Sequence, residues 1–267
     1  MSDERTLVMG ILNITPDSFA DGGRHNSFES ALARAKVMIA EGVDIIDIGG
    51  ESTRPGAARV SADEEIERTI PIITELKELG IPTSIDTMRA STAQAAISAG
   101  AAYVNDVSGG LADEKMAKLM AAHPDIQYIA MHWRGHSEDM QSKANYKNVV
   151  SEVKDELEDR VEALIKSGVN AEQIILDPGL GFAKTAEHNW EILRNLDRFA
   201  LLGFPLLIGA SRKSFLGVLL EEPDPDLREA ASIAITTEVA RQGVWAVRTH
   251  GVKAHVDAIK VVAELSK

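Results

Sequence analysis

Asp86, Asn105, Asp177 and Lys213 are the residues of this chain best suited to act together on a ligand. The first three stand where an apolar run stops, and Lys213 follows one in GASRKS. The stretch 174–184, IILDPGLGFAK, shows the pattern most clearly. Ile174, Ile175 and Leu176 read as a short buried parallel strand. Pro178 cannot donate to a sheet ladder and Gly179 favours a tight turn, so Asp177 is expected at or just past the strand's C-terminal end. Gly179 and Gly181 then let the chain turn, carrying Phe182 and Lys184 to the far side. A carboxylate in that position is costly to desolvate unless it is hydrogen-bonded. Alone, Asp177 reads equally well as a cap or as a ligand contact. The other strand ends favour the ligand. In order they carry Asn13, then Glu51-Ser52-Thr53-Arg54, Asp86, Asn105-Asp106, His132, Asp177, Ser211-Arg212-Lys213-Ser214 and Arg248-Thr249-His250.

Two chemistries separate within this set. Asp86, Asn105 and Asp177 with Lys213 offer acceptors beside donors. They suit a flat heterocycle with an amidine-like edge, since a carboxylate takes two parallel N–H bonds from such an edge. Arg54, Arg248 and His250 read as an anion site for phosphate or pyrophosphate. Ser214, opening a short helix, adds a hydroxyl and free backbone N–H groups. Blander readings stand beside these. Asp86 could cap a helix, and Asp47 fits a polar network inside the strands better than a ligand site. Arg54 and Arg59 could be loop charges. His132 and Trp133 read as satisfied core groups, and His25, His136, His188 and His255 as surface or loop residues.

The elements that must place these residues alternate between strand and helix. Strands are expected at 7–12, 43–48, 82–85, 102–104, 126–131, 174–176, 205–208 and 244–247. Helices are expected from a cap at Ser27, from a Ser61/Glu64 capping box, and over 91–99, 113–122, 187–199, 214–220, 227–241 and 252–265, with a long helix presenting Val150, Val153, Leu157, Val161 and Leu164 on one face. In the helix after Ser61, Ile66, Ile70, Ile73 and Leu76 should face inward and Pro71 should cause a kink. Helix-stopping glycines recur just before strands, in GVD, GIP, GAA, GVN, GFP and GVW. Eight strand–helix units in 267 residues point to a single-domain α/β (β/α)8 TIM barrel spanning 1–267, with its active site at the strands' C-terminal ends. A doubly wound open sheet is the alternative, but no GxGxxG follows the first strand.

Composition narrows the function classes. The chain has no cysteine, which removes disulfides, thiolate metal sites and a cysteine nucleophile. Its net charge of −13 argues against nucleic acid and anionic membranes as partners. No apolar run reaches membrane-spanning length and the start MSDERTLV lacks a secretory apolar region, so a cytoplasmic protein is expected.

The segments MGILNITPDSFADGG, DIIDIGGESTRPGA, SIDTMR, VNDVSGG, ILDPGLGFAK, IGASRKSFLG and VRTHGV resemble, in order, the dihydropteroate synthase family of the folate pathway, the target of sulfonamides. MHWRGHS and DPGLGFAKT look most like its actinobacterial members. The resemblance covers residues 8–262. It implies a (β/α)8 barrel, usually a homodimer. The family condenses two small-molecule substrates, 4-aminobenzoate and 6-hydroxymethyl-7,8-dihydropterin diphosphate, releasing pyrophosphate with Mg²⁺. By motif position it implies catalytic roles for Asp86, Asp177, Lys213 and Arg54. The pterin diphosphate would meet Thr53, Asp86, Asn105, Asp177, Lys213, Arg248 and His250. The aminobenzoate would meet Thr53, Arg54, Pro55, Phe182 and Ser214. Asn13 would face the metal, and Phe19 and Asp21 would lie on a mobile first loop. One departure stands out: RTHGV replaces the RVHDV of many members, so Gly251 lacks a carboxylate that could brace His250. A pterin-binding paralogue without activity and a methyltetrahydrofolate–corrinoid methyltransferase are the alternatives that the resemblance leaves.

Overall fold

The structure, a computed structural model, describes residues 5–14, 24–51, 60–136 and 140–267, with the side chains of 24–27 excepted. Within these residues lies one eight-stranded parallel sheet. Its strands are β1 (Leu7–Asn13), β2 (Ile45–Gly49), β3 (Thr83–Asp86), β4 (Tyr103–Asp106), β5 (Gln127–Met131), β6 (Ile174–Asp177), β7 (Leu207–Ile208) and β8 (Ala246–Thr249). Successive strands pair in parallel from β1 to β6, and β8 joins β1 to β7. The ring closes where Leu176 bridges Leu206 and the Leu176 amide donates to the Pro205 carbonyl at 2.9 Å. The fold is the expected (β/α)8 barrel. Its helices are α1 (Arg24–Glu41), α2 (Ala62–Glu78), α3 (Ala90–Ala99), α4 (Met116–Ala122), α5 (Val149–Lys166), α6 (Ala186–Arg194), α7 (Leu196–Ala200), α8 (Ser214–Leu220), α9 (Glu229–Arg241) and α10 (Lys253–Leu265).

Parallel strands buried on both faces need apolar residues pointing both ways. Side chains alternate along each strand, so two cores result. Met9, Ile45, Ile129, Ile175, Leu207 and Ala246 form a small inner core, with Leu7, Tyr103 and Trp245 packed against it. The larger core lies between strands and helices and includes Val150, Val153, Leu157, Val161 and Leu164 of α5, the face its sequence periodicity predicts. One alternation further along the inner face, β2, β4, β6 and β8 carry Asp47, Asn105, Asp177 and Arg248, and β3 adds Asp86. The apolar layer is thus the floor of a polar one.

Several boundaries differ from expectation for identifiable reasons. The first helix begins at Arg24, so Ser27 lies inside it instead of capping it; Arg24, His25 and Asn26 include no helix breaker. Ser61 does cap α2, accepting the Glu64 amide at 3.2 Å, but the Glu64 carboxylate pairs with Arg68 instead of closing a capping box. The buried face of α2 is Glu65, Thr69, Ile72, Ile73 and Leu76. Ile66 and Ile70 are only half-buried, because Glu65 turns inward to bind Arg89 at 2.7 Å and Thr92 at 2.9 Å. The helix runs on through Pro71, which faces solvent.

Asp113 is not in a helix. It accepts the Ala90 amide at 2.8 Å and so caps α3 from outside. The helix expected over 187–199 is split at Asn195, whose side-chain amide takes the Glu191 carbonyl at 2.8 Å and whose backbone leaves the helical region. Strand ends shift by one or two residues, and the shift has a consequence. Asp86, Asn105, Asp106 and Asp177 are each the last or next-to-last residue of a strand, so the sheet itself fixes their direction. Asn105 points into the barrel while Asp106 points out. Asp106 accepts from Ser108, Gly110 and the Tyr128 hydroxyl at 2.6–2.9 Å and organises the turn after β4.

Candidate active site

The polar layer is tied together by Arg248. Its Nε donates to Asp47 Oδ2 at 2.5 Å and its Nη2 to Asp86 Oδ2 at 2.6 Å. The Asn105 side-chain amide donates to the same Asp47 oxygen at 3.0 Å. Asp47 is fully buried and Asp86 and Asn105 nearly so. Asp47 is therefore the interior network residue that its place within a strand suggests. Arg248, expected with the anion-binding cations, stands among the acids. A methyl group on Gly209 would lie 3.8 Å from Arg248 Cβ, 3.8 Å from Lys213 Nζ and 3.9 Å from Asp177 Oδ2, so those three surround one point. Asp177 Oδ1 also accepts the Gly179 amide at 2.7 Å. Side chains from β2, β3, β4, β6 and β8 and from the turn after β7 thus meet at one end of the barrel.

Burial sets the electrostatics of this cluster. It pushes the Asp86 carboxyl up to about 7, against the pull of Arg248 and helped by the neighbouring carboxylates Asp47, Glu65 and Asp106. It raises Asp177 as well, against Lys213 and the Gly179 amide. It lowers the Lys213 ammonium to about 8, which Asp177 resists. Burial also works against the Arg248 cation, but Asp47 and Asp86 outweigh it and keep the guanidinium charged. Truncating one member of such a buried set leaves an uncompensated charge, a loss of roughly 3–5 kcal/mol.

Around the acids lie the remaining expected residues. Lys213 bonds the Leu180 carbonyl, and its ammonium stands 4.9 Å from the centre of the Phe182 ring. Ser214 is exposed and opens α8. His250 approaches Ser211, its Nδ1 at 3.1 Å from the hydroxyl and its backbone amide donating to it at 3.2 Å. Asn13 ends β1, and its Oδ1 lies 3.2 Å from where a Cβ on Gly49 would be, with Asp86 Cβ 3.8 Å from the same place. Phe19, Asp21, Thr53, Arg54, Pro55 and Arg59 lie outside the described residues.

Other strand-end residues turn away from the cluster. Glu51 binds Arg89, which also holds Glu65 and the Val60 carbonyl. Arg212 reaches Glu229 and Asp226. His132 is buried and satisfied on both ring nitrogens. Nδ1 accepts from Lys184 Nζ at 2.9 Å, so Nε2 carries the proton and donates to Glu156 at 2.9 Å. Burial and the nearby Lys184 charge lower the imidazole to about 4, which keeps it neutral. Part-burial opposes the Glu156 charge, but bonds from His132 and Arg134 hold that carboxyl at about 2.

Lys184 is the residue that sequence reasoning missed. Past the turn it is buried, and its ammonium is lowered by burial to about 7. Lys184 also donates to the Phe182 carbonyl at 3.1 Å, so it ties the turn after Asp177 to the end of β5. A lysine two residues past an aromatic carries no sequence signal of this. His255 likewise is not a surface residue: it is buried, with Nδ1 2.8 Å from the Thr236 hydroxyl and Nε2 3.3 Å from Glu229.

Comparison with known proteins places this geometry in context. A family model described as "Pterin binding enzyme" matches residues 9–250. The dihydropteroate synthase of Mycobacterium leprae (strain TN) is 47% identical over 268 residues, covering 98% of this chain and 94% of that one. A solved structure of Xanthomonas albilineans dihydropteroate synthase with 4-aminobenzoic acid matches at a TM-score of 0.93 and 38% identity, covering 100% of this chain and 95% of that one. Another from the same organism, in complex with 7,8-dihydropteroate, matches at 0.89 and 35% identity, with the same coverage.

The buried imidazole gives a test of the site's support. His132 titrates at about 4 when folded and near 6.5 when unfolded, so the unfolded chain binds the extra proton between these values. Stability should therefore fall as pH drops from 6.5 to 4, by roughly 2–3 kcal/mol from this group. Denaturant titrations across that range should show a flatter pH dependence in His132→Gln than in the parent. An unchanged slope would mean that His132 is not held neutral.

Proposed function

Because the chain belongs to the pterin-binding enzyme family, alongside the dihydropteroate synthases, we infer that it is a transferase of folate synthesis. It condenses 4-aminobenzoate with 6-hydroxymethyl-7,8-dihydropterin diphosphate to give 7,8-dihydropteroate and pyrophosphate. The observation that carries this reading is the meeting of Asp86, Asn105, Asp177, Lys213 and Arg248 at one barrel end. Acceptors held by a sheet beside fixed cations suit a fused ring with an amidine edge on one side and a carbonyl on the other.

The chemistry follows from that placement. The amine of the aminobenzoate is a neutral, weak nucleophile that needs no strong base, so departure of pyrophosphate limits the step. We propose a dissociative, SN1-like substitution. The bond from the exocyclic methylene to the diphosphate oxygen breaks, with its electron pair leaving on oxygen. The dihydropterin ring shares the positive charge left behind, and the carboxylates of Asp86 and Asp177 stabilise it. The amine nitrogen then forms the new C–N bond and gives its proton to solvent. Lys213 and Asn105 hold the ring, Phe182 and Ser214 receive the aminobenzoate, and His250 faces the departing anion, while Arg248 stays on Asp47 and Asp86 and keeps the acids in place. Thr53, Arg54 and Pro55, with Phe19 and Asp21 on the first loop, are assigned their roles by motif position alone.

The donor set bears on Mg²⁺. Among the described residues no group of three His, Asp or Glu side chains could hold a metal ion. Asn13 offers one amide oxygen beside Gly49. That fits an ion which keeps most of its waters and arrives on substrate phosphates. Asn13 would then be a protein ligand to it from among the described residues, and the ion would neutralise charge on the leaving group. We further propose that residues 1–267 form one domain, that the enzyme is cytoplasmic, and that it is a homodimer. The exposed apolar residues Val218, Leu219, Leu220 and Leu227 support a subunit contact.

Pyrophosphate release with both substrates and Mg²⁺ tests the reading directly. Release that requires both is expected; pterin binding without release would make the chain an inactive paralogue. In the same assay Asp177→Asn should lower turnover about 100-fold or more, while folding is retained because the amide oxygen can still accept from Gly179. Near-normal turnover would remove Asp177 from the mechanism.

The raised Asp86 carboxyl adds a pH dependence. Protonation removes one acceptor, so kcat/KM for the pterin diphosphate should decline as pH falls below about 7. Asp86→Asn should show a lower kcat/KM and no such limb. A limb of the same position in Asp86→Asn would assign it to another group.

A further inference from the structure

Gly251 follows the His250 strand end, and its backbone is not in the left-handed region. An L-residue would be unstrained there, yet a Cβ would overlap Glu229 Oε1 and lie 3.0 Å from Glu229 Cδ. Among the atoms nearest that point, only the Glu229 carboxylate excludes a side chain. Glu229 opens α9 and reaches across to this space. Its Oε2 accepts from Arg212 Nε at 3.2 Å, and its Oε1 is 3.3 Å from His255 Nε2. Bonds from His255 and Arg212 hold the carboxyl at about 2 against part-burial, so it is ionised at working pH.

Arg212 is what this carboxylate holds. It is a non-glycine residue with φ +59°, a conformation that needs support from its surroundings. That support comes from the start of α9. The Arg212 amide donates to Ser232 Oγ at 3.0 Å, its carbonyl accepts from Arg228 Nη1 at 3.1 Å, and its guanidinium meets Glu229 and Asp226. The next residues are Lys213, on Leu180 and Phe182, and Ser214. The preceding residue, Ser211, bonds His250.

We propose that Glu229 is a positioning residue for the condensation. Its carboxylate, lodged over Gly251, locks Arg212 in the left-handed conformation and so aims Lys213 and Ser214 at the substrates. Positions 229 and 251 share one slot that takes a single carboxylate, supplied here from α9 and equally able to come from the end of β8. The proposal rests on the synthase reading for turnover but not for pterin binding.

The test is a carboxylate exchange. Glu229→Ala should lower kcat/KM for both substrates by about 10- to 100-fold, mostly through KM, since Arg212 loses a charged partner. Gly251→Asp alone should be at least as damaged, because two carboxylates would compete for one space. The double variant Glu229→Ala/Gly251→Asp should recover to within about 5-fold of the parent, since a slot refilled with one carboxylate removes both faults. Calorimetric pterin affinity, measured on the same proteins, should follow the same order. A double variant no better than Glu229→Ala would overturn the shared slot, and Glu229→Ala within twofold of the parent in KM and affinity would overturn the positioning role. Should Glu229→Ala fail to fold, Glu229→Gln keeps the shape without the charge, and a KM equal to the parent's would likewise overturn it. A parent that binds pterin but makes no product would defeat the synthase reading, while the affinity series would still decide on Glu229.

Discussion

Arg248 between Asp47 and Asp86 is the interaction on which the rest of the site depends. Two carboxylates buried at one end of a barrel would repel each other and would each lose most of their hydration. A single guanidinium bonded to both makes the arrangement tolerable. Its fork suits this task, because it can face two carboxylates from one planar group. Asn105 completes the set by donating to the same Asp47 oxygen. The second oxygen of Asp47 is buried without a partner among the described residues, and the set therefore retains acceptor capacity.

Further layers of polar contacts fix this core from outside. Asp106 organises the turn after β4, immediately behind Asn105. Lys184 and His132 join the turn after Asp177 to the end of β5, with Glu156 and Arg134 behind them. Arg89 gathers Glu51, Glu65 and the Val60 carbonyl beside Asp86. Each layer uses charged groups that are paired and mostly shielded from water. The strands give direction to the first layer, and these pairs keep the connecting turns from drifting. A reaction that depends on orienting a weak nucleophile toward a nascent cation needs that rigidity more than it needs a strong base.

The sequence made much of this readable, and the exceptions share a cause. The barrel was legible because glycine stops precede apolar runs at regular intervals, and Asp86, Asn105 and Asp177 because each interrupts such a run. Asp47 was legible as a network residue because it lies inside one. What alternation could not show was partner choice. Arg248 reads as an anion-site cation, yet two carboxylates distant in sequence hold it. Lys184, His255 and Glu229 look like ordinary charged or loop residues, and their burial depends on packing between elements far apart in the chain. Local pattern also failed where a side chain served another element, as with Asp113 capping α3, Glu65 turning into α2's buried face, and Asn195 dividing a helix.

The proposed activity requires a pterin ring gripped by the acids, amide and lysine at the C-terminal end of the strands. A crystal structure of this chain with 6-hydroxymethylpterin diphosphate tests it most directly. The ring is expected to be hydrogen-bonded by Asp86, Asn105, Asp177 and Lys213, with its diphosphate toward Asn13 and His250. A ring bound elsewhere, for example at the opposite mouth of the barrel beside Trp245, with those four side chains left untouched, would contradict it.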